Sequence, residues 1–267
     1  MTAESGQRIL YLSPHLDDAV LSAGGFIAAQ AGNGDAIFIA SFCTADPTPQ
    51  QPLSALATDV HGRWGNPSAP YANRRHEDTA ACAMLGANAI HLGLLDAIYR
   101  HGAAANEVYR SFGELFGPVP TWDFSFTQLT TDTLANLINE IKPARIYAPL
   151  AVGDNVDHQH VLSALLKLQT KLHCPLGFYE DQPYSSGYLS TTHDAVTAAI
   201  ARLPSKVIAT NYPIDFKKKR SAILCYQSQL TELFGNDSHG LEQMERYAHS
   251  LSPDLTPTER IWTFATP

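Results

Sequence analysis

The 267-residue sequence has few of the features that mark several specialised protein classes. Its four cysteines form no C-x-x-C pair, which argues against a cysteine-rich zinc module or a dense disulfide framework and predicts free, buried thiols. No apolar run approaches the ~18 residues that a membrane span needs, so we predict no such span. The chain has 26 acidic and 18 basic residues, and this lack of a basic surplus disfavours a nucleic-acid partner.

Two motif classes are also missing. The sequence contains no G-x-S-x-G nucleophile elbow, and Gly24-Gly25 does not form the G-x-G-x-x-G fingerprint of dinucleotide binding. The N-terminal residues MTAESGQ lack the charged-then-apolar order of a signal peptide, which together with the free thiols predicts a cytoplasmic protein. With 45% apolar and 16% charged residues, the composition is that of a globular protein, and we predict a single domain over residues 1–267.

Short apolar runs alternate along the chain with segments of helical periodicity. Strands are predicted at 8–13, 36–42, 89–92, 145–149, 176–179, 206–210 and, as a final edge strand, 260–264. Helices are predicted at 19–31, 74–85, 131–141, 158–172, 195–202 and 216–230, with long loops near 44–72 and 101–127. The basic run 217–220 is expected to be a solvated helix face. Continuous apolar strands separated by helices predict an α/β fold with a parallel sheet covered by helices on both faces.

The first chemical motif is Ser13-Pro14-His15-Leu16-Asp17-Asp18, which comes directly after the first strand. The simplest interpretation is a helix cap, but one aspartate suffices for a cap. Two acids and an imidazole at the carboxyl end of a strand instead favour a metal or acid/base site, because α/β sheets place their sites beyond that edge.

The second motif, Gly153 to His160, follows the fourth strand in the same topological position. Alone, His158 is typical of a surface histidine at a helix start. Two such clusters on neighbouring strands predict that His15, Asp18 and His158 converge on one point. Two imidazoles and a carboxylate suit Zn²⁺ with an open position for water, which zinc can activate at neutral pH, and the same donors also accept Fe²⁺.

These motifs resemble those of a known family. The first is similar to the (P/A)-H-x-D-D signature of the PIG-L/LmbE-like N-acetylglucosaminyl deacetylases, and Asp157-His158 matches the end of that family's H-x-D-H motif. Three further segments resemble the family in the same order along the chain: Arg74 to Glu77 with Ala80 and Leu85-Gly86, residues 92–100, and Lys218 through Tyr226-Gln227-Ser228-Gln229.

The resemblance implies a Rossmann-like three-layer fold, with a mostly parallel sheet and no dinucleotide. It implies a zinc-dependent hydrolase that removes an acetyl group from a small-molecule substrate, an N-acetylated amino sugar of the N-acetylglucosamine type. By position, His15, Asp18 and His158 would hold the metal, and Asp17 would be the general base that takes a proton from the activated water.

One position departs from the family pattern. Asn155 stands where the family has a histidine associated with the oxyanion and the departing amine, which Asp157 supports. Asparagine can donate a hydrogen bond to an oxyanion but cannot deliver a proton. Three explanations are open. Asp17 can serve as both general base and general acid, another histidine such as His160 or His101 can act as the general acid, or the activity is weak or altered. We keep Asn155 and Asp157 with Asp17 as catalytic candidates.

Three further residues are candidates for substrate binding. Arg74 and Arg100 can contact a sugar hydroxyl, carboxylate or phosphate, and Asp96, just after the third strand, can bind a hydroxyl. For the arginines, the alternative is an exposed charge of no special function.

Two other functions stay open. One is an amidase of the same family acting on another acyl amide, such as a thiol conjugate or an antibiotic intermediate, with the long loops setting substrate choice. The other is a metal- and sugar-binding protein with little turnover, as the departure at Asn155 suggests. Homo-oligomerisation is equally open.

Overall fold

The computed structural model describes residues 6–64, 68–104, 106–188, 194–235 and 239–265. Residues 1–5 of the polar N-terminus, and residues 65–67 and 105 of the two predicted loops, lie outside this range. The seven strands found in the described residues form one sheet: β1 (Arg8–Ser13), β2 (Ala36–Cys43), β3 (Ala87–Leu94), β4 (Arg145–Pro149), β5 (Leu176–Tyr179), β6 (Val207–Pro213) and β7 (Thr258–Phe264).

The strand order in the sheet is β3-β2-β1-β4-β5-β7-β6. The first five strands pair in parallel, whereas β7 pairs antiparallel with both β5 and β6. The α-helices are α1 (Asp18–Gly32), α2 (Ala55–Arg63), α3 (Pro70–Leu85), α4 (Phe112–Leu115), α5 (Phe124–Ile141), α6 (Val156–Leu168), α7 (Ala195–Ala201), α8 (Phe216–Ile223), α9 (Gln227–Phe234) and α10 (His239–Ser250). The predicted α/β class, with a mostly parallel sheet, is confirmed.

The alternation of side chains along β1 explains the three layers. Ile9 and Tyr11 face a core that contains residues of α1, α3, α8 and α10, whereas Leu10 and Leu12 face a core that contains residues of α5, α6 and α7. Successive side chains of a strand point to opposite faces, so a strand that is apolar throughout must be covered on both sides. The apolar run ILYL of β1 therefore occupies an interior position in the sheet.

The prediction of a long loop near 44–72 was wrong, because α2 and the start of α3 lie within it. The Ser54 hydroxyl accepts a hydrogen bond from Ala57 N at 3.1 Å and caps α2. Leu56, Ala57 and Val60 lie on one face of α2 and belong, together with Tyr99, to a third core cluster. The helix was missed because these few apolar residues stand in a polar segment. The predicted 101–127 loop is likewise shortened, since α5 begins at Phe124.

Three elements near the C-terminus also differ from prediction. The last strand, β7, is not at an edge but lies between β5 and β6, so that β6 forms the edge. The predicted helix 216–230 is divided into α8 and α9, and α10 was not predicted. Of the basic run, Lys219 is buried rather than solvated, and its ammonium contacts Glu259 at 2.6 Å. The same Glu259 accepts hydrogen bonds from Gly25 N and Phe26 N, just after the non-helical residue Ala23 in α1.

Two predicted absences concern cysteine and the membrane. All four cysteines are free thiols, with Cys43 and Cys82 buried and Cys174 and Cys225 half-buried. Among the described residues, no helix combines the length and the apolar character that crossing a membrane requires.

Candidate active site

The first motif forms a tight turn between β1 and α1. The Ser13 hydroxyl donates to the carbonyl of His15 at 2.6 Å and accepts from Ala19 N at 3.0 Å. Asp18 Oδ2 accepts a hydrogen bond from His15 N at 2.7 Å. These bonds fold residues 13–19 back on themselves, which brings the side chains of His15 and Asp18 together at the carboxyl end of β1.

The second motif meets this turn because β4 lies next to β1. His158, in the first turn of α6, places Nε2 at 3.2 Å from Asp18 Oδ2, and His15 Nδ1 lies 3.1 Å from the same oxygen. One ligand atom from each of His15, Asp18 and His158 lies within 4.8 Å of the other two. The structure thus brings the three predicted metal ligands together, and two nitrogens with one carboxylate oxygen match the donor set of a catalytic zinc or iron site.

The electrostatics of this cluster favour a cation. Burial opposes ionisation of Asp18, but His158 and His15 outweigh it and hold the pKa of the carboxyl well below its usual range. Burial also lowers the pKa of His158, but contact with Asp18 and Asp181 raises it to about 9. The two pKa shifts have a common cause, because the Asp18 carboxylate and the protonated imidazole of His158 stabilise each other's charge.

The second nitrogen of His158 has a partner of its own. His158 Nδ1 lies 2.6 Å from Asp181 Oδ1, while Asp181 Oδ2 accepts a hydrogen bond from Val152 N at 2.9 Å. Asp181 is fully buried. A carboxylate behind a ligating imidazole fixes its tautomer and orientation. Our sequence analysis missed Asp181, although it follows β5 at the same edge of the sheet and thus carried the signal used for the other two motifs.

The second nitrogen of His15 faces two more carboxylates. His15 Nε2 lies 3.1 Å from Asp157 Oδ2 and 3.4 Å from Asp96 Oδ2. Burial raises the pKa of Asp157, but Arg100 and His15 outweigh it and hold the carboxyl ionised. The family pattern would have Asp157 support a histidine at position 155. In this chain its carboxylate contacts His15 instead.

A second set of possible ligands suits a metal less well. His15, Cys43 and Asp157 also offer ligand atoms within 4.8 Å of one another. However, burial raises the pKa of the Cys43 thiol, which disfavours the thiolate that binds metals. The Asp157 carboxylate is already engaged by the Arg100 guanidinium and by Ala97 N at 3.0 Å.

The Asp17 side chain does not cap α1 and faces the cavity instead. It occupies the N-cap position of α1, but its side chain makes no capping hydrogen bond, and it lines the same cavity as His15 and Asp18. Its nearest cationic contact is Arg74 Nη2, at 3.9 Å from Oδ1. Burial raises the pKa of Asp17 from its ordinary value, and this is the direction that suits a proton acceptor at neutral pH.

The three predicted substrate residues have different surroundings. Arg74 and Asp96 both line the cavity, and Arg74 Nε is a buried donor without a hydrogen-bond partner among the described residues. Asp96 accepts a hydrogen bond from the Tyr71 hydroxyl at 2.5 Å. Arg100 is buried against Asp123, with Nη2 at 2.7 Å from Oδ2, and is not among the described residues that line the cavity. Its geometry is that of a support for Asp157.

Asn155 lies at the cavity wall as the N-cap of α6, and its Oδ1 accepts a hydrogen bond from Asp157 N at 2.9 Å. Neither alternative histidine stands beside it. Both ring nitrogens of His160 are engaged, by the Thr127 hydroxyl at 2.7 Å and by Asp123 at 3.0 Å. His101 is exposed, and among the described residues lining the cavity neither of these two histidines appears. The geometry therefore favours the remaining explanations for position 155.

The cavity has a volume of about 770 Å³ and a largely apolar wall. The wall is built from α2, α4, α7 and α9, from Tyr184, and from the loop that joins β4 to α6. This loop carries left-handed φ angles of 59° at Ala151, 87° at Gly153 and 62° at Asp154. Non-glycine residues rarely adopt such angles, and their clustering at a cavity is typical of a functional site.

The chain is similar to known proteins in both sequence and fold. The PIG-L family profile, described as GlcNAc-PI de-N-acetylase, matches residues 10–169. The chain is 25% identical over 244 residues to a 2'-N-acetylparomamine deacetylase from Niallia circulans, covering 86% of this chain and 83% of that one. A deacetylase of teicoplanin biosynthesis, solved in complex with bog, superposes with a TM-score of 0.82 at 26% identity, covering 97% and 98% of the two chains. The A40926 pseudoaglycone deacetylase superposes with a TM-score of 0.77 at 25% identity, covering 99% and 100%.

Proposed function

The chain belongs to the PIG-L family, and on that basis we propose that it is a metal-dependent N-deacetylase that hydrolyses the acetamide of an N-acetylated amino sugar. The observation that carries the proposal is the convergence of His15, Asp18 and His158 beside Asp17 in one cavity. Zn²⁺ is the ion we expect, and Fe²⁺ satisfies the same donors. A cytoplasmic location stays part of the proposal and is testable by cell fractionation.

The protein's own residues divide the work between them. A bound divalent ion would lower the pKa of a water molecule and polarise the acyl oxygen. Asp17 Oδ accepts a proton from the attacking water as the new C–O bond forms, and returns it to the amine nitrogen as the C–N bond breaks. Arg74 and Asp96, which line the cavity, bind the sugar hydroxyls. Asp181 and Asp157 orient the two imidazoles from behind.

The test combines elemental analysis with acetate release from N-acetylated amino sugars. Asp17→Asn should keep its metal and lose about 10²–10⁴-fold in rate, because only the proton acceptor is removed. His15→Ala should lose the metal itself. His91→Ala is the matched control, because His91 pairs with a different buried carboxylate, that of Asp78, at 2.8 Å. A wild-type protein without metal, together with a fully active His15→Ala variant, would refute the proposal.

The cavity favours one variant of this function, an amino sugar carried on a larger apolar molecule. Its volume of about 770 Å³ lies within the range of about 300–1,000 Å³ typical of sites for drug-sized ligands. Val60, Phe112 and Leu115 contribute apolar wall beyond the metal-ligand cluster. Rates on N-acetylglucosamine and on an aryl glycoside of the same sugar separate the two cases. Equal kcat/KM values would argue against a larger substrate, and binding of both without hydrolysis would support a binding protein.

A further inference from the structure

Position 155 is asparagine in this chain, where the family has a histidine. Another side chain of the cavity is therefore needed to donate a hydrogen bond to the acyl oxygen. Asn155 offers an amide N–H, but its Oδ1 is used in capping α6. Tyr184, on the segment that follows β5, lines the same cavity as His15, Asp17 and Asp18. None of the roles described above uses its hydroxyl.

The position of the Tyr184 ring is determined on three sides. It meets the His158 ring edge-on, with the centroids 6.3 Å apart, and lies 5.8 Å from the Phe116 ring. On the third side it packs on Gly153, where a Cβ atom would stand only 2.8 Å from Tyr184 Cγ. A glycine at position 153 thus lets the phenol approach the loop that leads into Asn155.

The hydroxyl itself is available. Within the described part of the chain, no residue forms a hydrogen bond with it. A phenol ordinarily titrates at about pH 10, so the hydroxyl carries its proton at neutral pH. A protonated, unpaired donor that stands beside a ligating imidazole can bind an oxygen on which negative charge develops.

We propose that the Tyr184 hydroxyl donates a hydrogen bond to the acyl oxygen in the transition state, in place of the family's histidine at position 155. The proposal rests on the proposed deacetylase function. No proton leaves Tyr184 in this step, since Asp17 carries the proton from the water to the amine. A hydrogen bond that strengthens as charge develops lowers the barrier without tightening substrate binding, so its loss should fall on kcat.

The test is Tyr184→Phe, which removes the hydroxyl and retains the ring that packs on Gly153 and Phe116. We expect kcat to fall about 10²-fold, as it does when an oxyanion donor is removed, with KM and metal content nearly unchanged. The second readout needs no turnover: affinity for a methylphosphonamidate of glucosamine, whose tetrahedral phosphorus resembles the transition state, should fall about as much. Affinity for glucosamine itself should stay constant.

The matched control is Tyr188→Phe. Its hydroxyl donates to the carbonyl of Phe234 at 3.0 Å, and Tyr188 is not among the described residues of the cavity wall. We expect wild-type kcat. A Tyr184→Phe enzyme within about twofold of wild type in kcat and in phosphonamidate affinity would overturn the proposal. Equal losses for the phosphonamidate and for glucosamine would overturn it too, since they indicate ground-state binding. A wild-type protein that releases no acetate refutes the deacetylase function itself.

Discussion

Substitution of the buried Asp181 by asparagine tests the proposed metal site. Asp181 is fully buried, contacts His158 Nδ1 at 2.6 Å, and accepts a hydrogen bond from Val152 N at 2.9 Å. Asparagine has nearly the same shape, but its single amide oxygen can satisfy only one of these two donors, and its charge is gone. The imidazole of His158 should then lose both its fixed orientation and part of its basicity.

The magnitude follows from what such partners contribute elsewhere. Removal of a carboxylate behind a ligating histidine costs about 10–100-fold in metal affinity or activity. Such a loss corresponds to about 1.4–2.7 kcal/mol of binding free energy. We therefore expect the dissociation constant of Zn²⁺ for Asp181→Asn to rise by this factor, as measured by competition with a chromogenic chelator, while circular dichroism shows a folded protein.

The chain offers a control of the same chemical type. Asp78 is also fully buried and binds a histidine, His91, together with the Tyr226 hydroxyl at 2.8 Å. Asp78→Asn should lower the melting temperature without changing the dissociation constant of the metal. If Asp181→Asn binds Zn²⁺ as tightly as wild type, His158 is not oriented from behind. If both variants lose metal to the same extent, general destabilisation rather than orientation is responsible.

Three further predictions concern the scaffold, and urea denaturation checks each of them. Gly153→Ala should lower the free energy of unfolding more than Gly187→Ala does. Both positions have left-handed φ angles, 87° and 80°, but only a Cβ at position 153 would collide with Tyr184. Equal losses for the two variants would contradict this. The His160 and Arg100 contacts outweigh burial and lower the pKa of Asp123, so its stabilisation is present above about pH 4 and is lost as pH falls through the lower native pKa. Asp123→Asn should therefore be less stable than wild type at pH 7, and this difference in stability should narrow as the pH falls below about 4. A difference that does not change with pH would contradict the prediction. Lys219→Met should lower the free energy of unfolding by about 3–5 kcal/mol, because the buried Glu259 carboxylate loses its cationic partner. A loss of less than about 1 kcal/mol would contradict this.

The parallel part of the sheet was predictable because its signals are local. Four of the first five strands, β1, β2, β4 and β5, are short and mostly apolar runs, as burial on both faces of the sheet requires. The edge strand β3 is only half-buried. The meeting of His15, Asp18 and His158 was predictable for a related reason, since the two polar motifs that contain them directly follow strands of one parallel sheet. Their convergence needs only the rule that sites lie beyond the carboxyl ends of the strands.

Helix α2 and the position of the antiparallel strand β7 could not be predicted from local sequence patterns. The apolar face of α2 has few residues and is buried in a cluster whose other members are distant in sequence, so its stabilisation is tertiary. From its sequence alone, the segment that forms β7 could pair with one strand at the edge of the sheet or with two strands inside it. The choice depends on which neighbours the rest of the sheet leaves open, and here β7 is inserted between β5 and β6.

The side chains around the proposed active site show the same difference between local and tertiary signals. The order of residues along the chain was enough to predict that His15, Asp18 and His158 meet, because strand ends determine where they stand. The direction of a side chain depends on packing against residues far away in sequence. Only the folded chain therefore turns Arg100 inward to Asp123 and sets Asp181 behind His158. For the same reason, only the fold packs the Tyr184 ring on Gly153. A residue with a Cβ atom at position 153 would collide with this ring.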